Sequence, residues 1–292
     1  MGGELLARIA RHWESFAEVS PGDLQELRIA FEGLHGQFEP PPNISVRSVN
    51  AGGVPGLLVT PSSEEPATIL YLHGGGHVAG SAFGYRPLAG ALAEQAGTGV
   101  VVPDYRLAPE HPFPASVEDA VRAYRWMLGR GATRIIVAGD SSGCGLALSL
   151  LLSLKQQGLP APGAVILFCP WVDLAMVSRD RIPHELDDFR RASVGLYLAG
   201  HPADDPLVSP LTADLTGLPP MLVQAATGDP LLDEARELTD HAQDCGVDAR
   251  FELFPVDTHD FHIFWSFLPE AAQALQQAGR FAREVTLAAQ AG

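Results

Sequence analysis

The sequence has little of what marks secreted, membrane or nucleic-acid-binding proteins. Its three cysteines, Cys144, Cys169 and Cys245, are too few and too widely spaced for a disulfide framework or a Cys-x-x-Cys metal site, which favours a reducing, cytoplasmic compartment. No apolar run reaches the ~20 residues of a membrane span, and no signal peptide is visible at the N-terminus. Basic residues are also scarce: 19 Lys and Arg against 35 Asp and Glu give a net charge of −16, which argues against nucleic acid or anionic lipid as a partner.

The composition is that of a globular chain with a sizeable core. Of the 292 residues, 46% are hydrophobic and only 18% are charged, which excludes both a disordered chain and a coiled coil. We find no internal repeat and no low-complexity linker. Residues 1–292 are therefore expected to form one domain, as α/β chains of this length often do.

Strand-like and helical segments alternate along most of the chain. This alternation predicts an α/β fold with a mostly parallel sheet of about eight strands and helices on both faces, antiparallel only at its first hairpin. The predicted strands are 44–49, 56–60, 67–72, 99–103, 134–138, 164–169, 221–226 and 249–254. The predicted helices between and after them are 85–95, 116–128, 142–156, 230–244 and 269–288.

Two further segments are expected to form a helical cap. The first, residues 1–42, contains an amphipathic helix and a second helix that begins at Ser20 and Pro21. The second, residues 171–219, is too long for a simple crossover between strands. The cap is interpreted either as a lid or as an extra packing layer, and its charged run 178–191 is expected to be a solvated face.

A Gly-x-Ser-x-Gly motif, residues 139–143, lies between a predicted strand and a predicted helix. A sharp strand-to-helix turn needs glycines where side chains would clash, and it exposes the central residue, Ser141, above the sheet. The positive end of the new helix faces any anion formed there. Alone, the motif is equally compatible with a glycine-rich turn that carries capping serines.

Three consecutive glycines follow another predicted strand, in His73-Gly74-Gly75-Gly76. Such glycines leave backbone N–H groups uncovered, and an oxyanion hole needs such donors because the tetrahedral intermediate of acyl transfer carries negative charge on the former carbonyl oxygen. A phosphate-binding loop would need a Walker or dinucleotide-binding spacing, which this segment lacks. The two motifs together favour Ser141 as a nucleophile.

A serine nucleophile needs a base and a group that orients the base. Asp229 and His259 each follow a late predicted strand, which gives the order Ser, Asp, His found in α/β-hydrolases. A rival acid, Asp233, is expected on the first turn of the next helix. A rival base, His262, lies among aromatic and apolar residues, which predicts packing in the core.

Four ordered blocks make the chain resemble the hormone-sensitive lipase family of α/β-hydrolases over residues 67–261. The blocks are His73–Gly76, 105–115, 139–143, and Asp229-Pro-Leu together with His259-Asp-Phe. The resemblance implies a helical cap and, in many members, a dimer formed through an edge strand. It also implies a triad and an oxyanion hole formed by Ser141, Asp229 and His259 and by the N–H groups of Gly75, Gly76 and Ser142.

The sequence departs from the family pattern at two positions. Ser142 stands where the family usually has Ala, which leaves the backbone donor intact. Asp260 follows the histidine where the family usually has Gly, and its side chain either touches the triad or, as we expect, faces solvent. Nearby, Cys144 is expected to be a small buried side chain, and Asp104, Arg106 and Glu110 are expected to be structural polar partners.

The resemblance implies a carboxylic-ester hydrolase for small to medium acyl esters that uses no metal or organic cofactor. Four histidines show no ligand spacing: His12, His35, His184 and His241. A lactone hydrolase or an amidase would use the same triad. A non-catalytic ligand-binding receptor of the same fold is the alternative from another class, and the intact Ser, Asp and His argue against it.

Overall fold

The computed structural model describes residues 3–17, 23–61, 68–132, 134–175 and 184–288. Within these ranges, eight strands form one sheet, as predicted. The strands are β1 (Ser45–Ala51), β2 (Val54–Thr60), β3 (Ile69–Leu72), β4 (Val100–Pro103), β5 (Ile136–Asp140), β6 (Ala164–Phe168), β7 (Met221–Ala226) and β8 (Ala249–Phe254).

Helices cover both faces of this sheet. They are α1 (Gly3–Ala17), α2 (Leu24–Gly36), α3 (Ala82–Ala96), α4 (Ala115–Gly129), α5 (Ser142–Gln156), α6 (His184–Leu198), α7 (Leu232–Asp244) and α8 (Pro269–Ala288). Helices α3 and α8 pack together on one face, whereas α4 and α5 pack together on the other. No helix in the described ranges has the length and apolar character needed to cross a bilayer.

The strand order is β1-β2-β4-β3-β5-β6-β7-β8, and only β2 runs against its neighbours. The antiparallel start of the sheet comes from the hairpin between β1 and β2. Its turn uses Gly52 and Gly53, both with positive φ, and the Gly53 N–H donates to the side chain of Asn50 at 2.6 Å. The parallel strands β3 to β8 therefore present their carboxyl ends at one edge, where ligand sites of α/β sheets form.

Alternate residues of the central strands enter two separate hydrophobic cores. In β3, Ile69 and Tyr71 join the core under α3 and α8, whereas Leu70 and Leu72 join the core under α4 and α5. Successive side chains of a strand point to opposite faces, and both faces are covered, so every position of these strands is buried and most positions are apolar. This explains why continuous apolar runs predicted them correctly.

The start of the second N-terminal helix differs from the prediction. Ser20 and Pro21 lie outside the described residues, and α2 begins at Leu24 with Asp23 as its N-cap. The Asp23 carboxylate accepts a hydrogen bond from the Glu26 N–H at 2.9 Å, which satisfies one of the free donors of the first turn. Aspartate and serine are equally good N-cap residues. The prediction chose Ser20 over Asp23 because a proline, Pro21, follows the serine.

The solvated face expected at 178–191 is wrong at Arg190, whereas Arg191 beside it is exposed. Residues 176–183 lie outside the described ranges, and α6 follows them. Arg190 on α6 is only 2% exposed, and its Nη2 lies 2.5 Å from the Glu234 Oε1 of α7. Glu234 also accepts hydrogen bonds from the backbone N–H groups of Val172 and Asp173. The buried pair of Arg190 and Glu234 therefore links α6 to α7 and to the segment that follows β6.

Candidate active site

Ser141 occupies the sharp turn between β5 and α5. Its backbone has φ 50° and ψ −123°, a conformation that residues other than glycine rarely adopt. The turn is possible because its flanking glycines lack side chains. A Cβ on Gly139 would lie 2.7 Å from the Gly143 carbonyl oxygen, and one on Gly143 would collide with the Leu72 carbonyl oxygen. The Gly-x-Ser-x-Gly motif is thus a turn that lifts one hydroxyl above the sheet.

The structure brings Ser141, Asp229 and His259 into a continuous chain of contacts. Asp229 lies just after β7, and His259 lies between β8 and a 3-10 turn over Phe261–Phe264. The His259 Nε2 is 3.0 Å from the Ser141 Oγ, and its Nδ1 is 3.0 Å from both carboxylate oxygens of Asp229. Three separate loops at the carboxyl edge of the sheet therefore meet at hydrogen-bonding distances.

Charge and burial act in opposite directions on the pKa values of His259 and Asp229. Burial favours the neutral ring, but the negative charges of Asp229 and Asp260 outweigh it and raise the pKa of His259 to about 10. Burial also disfavours the charged form of Asp229, but the charge and hydrogen bond of His259 hold its pKa below the usual value. Asp229 is therefore an ionised partner that stabilises the imidazolium.

The Gly75 and Gly76 loop faces the serine. Both glycines have positive φ, 113° and 63°, and a Cβ on Gly75 would collide with the Ala79 carbonyl oxygen. In the described part of the chain, the N–H groups of Gly75, Gly76 and Ser142 donate to no protein acceptor. They are free to bind an oxygen atom placed beside the Ser141 Oγ.

Asp140 holds this loop, a role that the sequence analysis did not assign. Its carboxylate accepts three hydrogen bonds, from the hydroxyls of Tyr71 (2.8 Å) and Tyr85 (2.7 Å) and from the Gly74 N–H (3.0 Å). Burial raises the pKa of Asp140 to about 6, although both hydroxyls favour its ionised form. Tyr71 lies in β3 and Tyr85 lies on α3, so only the tertiary fold shows that they share one acceptor.

Replacing this acceptor should weaken catalysis by displacing the loop. In Asp140→Asn, one carboxylate oxygen becomes an NH2 donor, so a buried tyrosine hydroxyl loses its acceptor and the Gly74 to Gly76 backbone shifts. We expect kcat for p-nitrophenyl acetate to fall about 10- to 100-fold with little change in KM. Tyr85→Phe, which removes a single donor, should cost less. A lower melting temperature with unchanged kcat would contradict this role.

Asp260 does not face solvent, and that expectation is wrong. The residue is 5% exposed, and its Oδ2 lies 3.2 Å from the His259 Nε2. Asp260 has φ 49°, in the left-handed region, which turns its side chain back over the histidine. The other alternative, contact with the triad, is therefore the correct one.

A cavity of about 260 Å³ opens onto the Ser141 hydroxyl. Its walls are mostly aromatic and apolar, and Ser141, His259, Gly75 and Gly76 also line it. Aromatic side chains from four parts of the chain line it: Trp13 of α1, Phe31 of α2, Trp171 after β6, and Phe189 of α6. Arg190 also lines the cavity, with its guanidinium carbon 4.9 Å from the centre of the Trp171 ring.

The rival residues lie away from the serine. His262 is buried in the core, where it stacks on Phe168 at 4.2 Å and contacts the Gln224 Oε1 at 3.1 Å. Burial lowers its pKa to about 3, so it stays neutral. Asp233 lies in the first turn of α7, as expected, 3.7 Å from Arg236.

The remaining polar residues near the motifs have the structural roles that were expected. Cys144 is fully buried. Asp104 accepts a hydrogen bond from the Ala82 N–H, Arg106 pairs with Asp119, and Glu110 pairs with Arg28 of α2. Each of these contacts joins two elements of the fold.

One cluster in the described residues has the donor atoms of a metal site. Single ligand atoms of Cys169, Asp229 and His259 lie within 4.8 Å of one another. The 3.0 Å contacts between His259 and Asp229 already explain why these two of the three residues lie close together. Cys169 directly follows β6 and is fully buried, and its thiol interacts with the Asp229 carboxylate.

An eight-stranded, mostly parallel sheet with a serine on the sharp turn after β5 defines the class of α/β-hydrolases. The family model described as the alpha/beta hydrolase fold matches residues 69–263, and the chain belongs to that family. Among solved structures, an esterase from the bacterial hormone-sensitive lipase family superposes with a TM-score of 0.89 at 36% identity, over 97% of this chain and 99% of the other. The family resemblance drawn from the motifs is confirmed.

Curated relatives extend over nearly the whole chain. An acetyl-hydrolase of Streptomyces hygroscopicus is 39% identical over 91% of each chain. An esterase of Acinetobacter venetianus is 34% identical over 89% of each chain. The similarity therefore extends beyond the residues that the family model matches.

Proposed function

We propose that the protein is a carboxylic-ester hydrolase with Ser141 as nucleophile, His259 as base and Asp229 as the group that orients the base. The single observation that carries the proposal is the 3.0 Å chain of contacts from the Ser141 Oγ through His259 to Asp229, beside three free N–H groups. Relatives named esterase and carboxylesterase support the same reaction.

The reaction follows from the contacts. The Ser141 Oγ attacks the ester carbonyl carbon while its proton moves to the His259 Nε2, and Asp229 stabilises the resulting imidazolium. The N–H groups of Gly75, Gly76 and Ser142 bind the oxyanion, each worth about 3 kcal/mol in the transition state. The imidazolium then protonates the alcohol as the ester C–O bond breaks. Water attacks the acyl-enzyme in the same way and releases the acid.

We infer that residues 1–42 and 171–219 act as a cap over this site within a single domain. Trp13, Phe31 and Phe189 from these segments line the cavity, which supports the inference. The cavity is smaller than the ~300–1,000 Å³ typical of sites for drug-sized ligands. We therefore propose esters of short-chain acids as the substrates. A dimer formed through an edge strand, which the family resemblance implies, stays a prediction.

The acyl-chain series of p-nitrophenyl esters, from acetate to decanoate, tests the proposal. We expect the highest kcat/KM at two to six carbons and a fall of at least tenfold at ten, because longer chains exceed the volume of the cavity. A matched p-nitroanilide and a γ-lactone test the amidase and lactonase alternatives. Absence of ester hydrolysis, or a preference for the anilide, would contradict the proposed function.

A further inference from the structure

The carboxylate of Asp260 has no part in the reaction described above, although it lies inside the site. Its Oδ2 is 3.2 Å from the His259 Nε2, the same nitrogen that is 3.0 Å from the Ser141 Oγ. Among the described residues, its Oδ1 has no hydrogen-bond partner, and the side chain lines the cavity. A buried acid thus contacts the one atom that must take the serine proton.

The backbone fixes this position. Asp260 adopts left-handed φ and ψ of 49° and 38°, and its carbonyl accepts a hydrogen bond from the Ile263 N–H at 3.1 Å. Aspartate tolerates this conformation better than most residues other than glycine. The 3-10 turn that follows therefore holds the carboxylate over the imidazole, away from solvent.

We propose that Asp260 is a positioning residue that shares one proton with His259, so that the base becomes free to accept the Ser141 proton only at alkaline pH. The inference rests on the proposed function, because it takes His259 as the base. Its physical reason is that a carboxylate next to Nε2 stabilises the protonated imidazole, which cannot accept a second proton.

The charges around His259 favour the protonated pair. The acidic groups that face it are Asp229 after β7, Asp260 on its own loop and Asp140 at the end of β5. Its basic and polar neighbours offer no compensation: Arg190 is paired with Glu234, and burial lowers the pKa of His35 and His262 to about 3. The thiol of Cys169, next to Asp229, has its pKa raised by burial and stays neutral.

Both members of the pair hold a proton more tightly than usual. The pKa of His259 is raised to about 10 because Asp229 and Asp260 outweigh the effect of burial, and burial raises the pKa of the Asp260 carboxyl. The active form has lost the shared proton, so kcat/KM should rise with pH through the apparent pKa of the pair. Below that pH, activity should fall tenfold per unit.

The test is the pH profile of kcat/KM for methyl butyrate, followed by pH-stat from pH 5 to 10.5, in the wild type and in Asp260→Asn. Asparagine keeps the shape and the left-handed backbone but removes the charge. We expect the acid limb, the low-pH side of the profile on which kcat/KM rises with pH, to move down by about 1–3 pH units. The variant should then be at least tenfold faster at pH 7 and at most about twofold faster at pH 10. Asp257→Asn, an exposed acid on the same loop, is the matched control and should leave the limb in place.

An unmoved limb, or an equal loss of activity at every pH, would overturn the inference and leave Asp260 a structural residue. If the asparagine variant does not fold, Asp260→Gly accepts the same positive φ. An NMR titration of the His259 imidazole in Ser141→Ala, with and without Asp260→Asn, tests the same point without turnover, and an unchanged midpoint would also overturn it. A wild type that hydrolyses no ester would instead contradict the proposed function.

Discussion

The Ser141→Ala variant is expected to lose about 10⁶-fold in kcat for p-nitrophenyl acetate. The Oγ of Ser141 is the atom that would form the acyl-enzyme, and it lies 3.0 Å from the His259 Nε2. Only transition-state binding by the glycine loop would remain, which typically leaves about 10³–10⁴-fold over water. Steady-state kinetics, with mass spectrometry of the protein after exposure to a sulfonyl fluoride, would measure both activity and covalent capture.

Ser153→Ala provides the matched control for this variant. Ser153 is a buried serine on the same helix, α5, and the substitution removes the same atom without touching the cavity. It should keep kcat within a few-fold and should still be labelled at Ser141. Hydrolysis that survives in Ser141→Ala, or a sulfonyl label on another residue, would contradict the assignment of the nucleophile.

Most of the sheet could be predicted because its physical signal is local. β7 and β8 have the predicted bounds, and the buried strands β3 to β6 agree to within about two residues, since strands covered on both faces are apolar at most of their positions. Helix starts were less accurate. The helix predicted from residue 85 begins three residues earlier, at Ala82, because Ser81 caps it by accepting a hydrogen bond from the Gly84 N–H at 3.0 Å.

The features that sequence reasoning missed depend on contacts between distant segments. A charged run usually marks a solvated surface, yet Arg190 is buried because Glu234, 44 residues later, meets it at 2.5 Å. Similarly, nothing near Asp140 in the sequence indicates that Tyr71 and Tyr85 donate to it. The direction of the Asp260 side chain depends on a positive φ that no residue pattern encodes. Residue types thus predicted the candidate triad. They did not predict that Asp140 holds the glycine loop or that Asp260 contacts His259.

His259→Ala is expected to lower kcat by about 10⁴–10⁶-fold, because no other base contacts Ser141 in the described residues. The substitution also leaves Asp229 and Asp260 as buried acids without their common partner. Both carboxyl pKa values should therefore rise, since burial disfavours their charged forms. The measurement is kcat for p-nitrophenyl acetate across pH 5 to 10, in which the acid limb assigned to His259 should disappear.

His262→Gln separates catalysis from packing. His262 lies three residues from His259, but it is buried against Phe168 and contacts Gln224, so its replacement should lower the melting temperature by several degrees while kcat in the folded protein stays within a few-fold. The two variants therefore differ in kind: one loses turnover with the fold retained, and the other loses stability with turnover retained. The reverse result would make His262 the base, and it would require the 3.0 Å contact between His259 and Ser141 to be incidental.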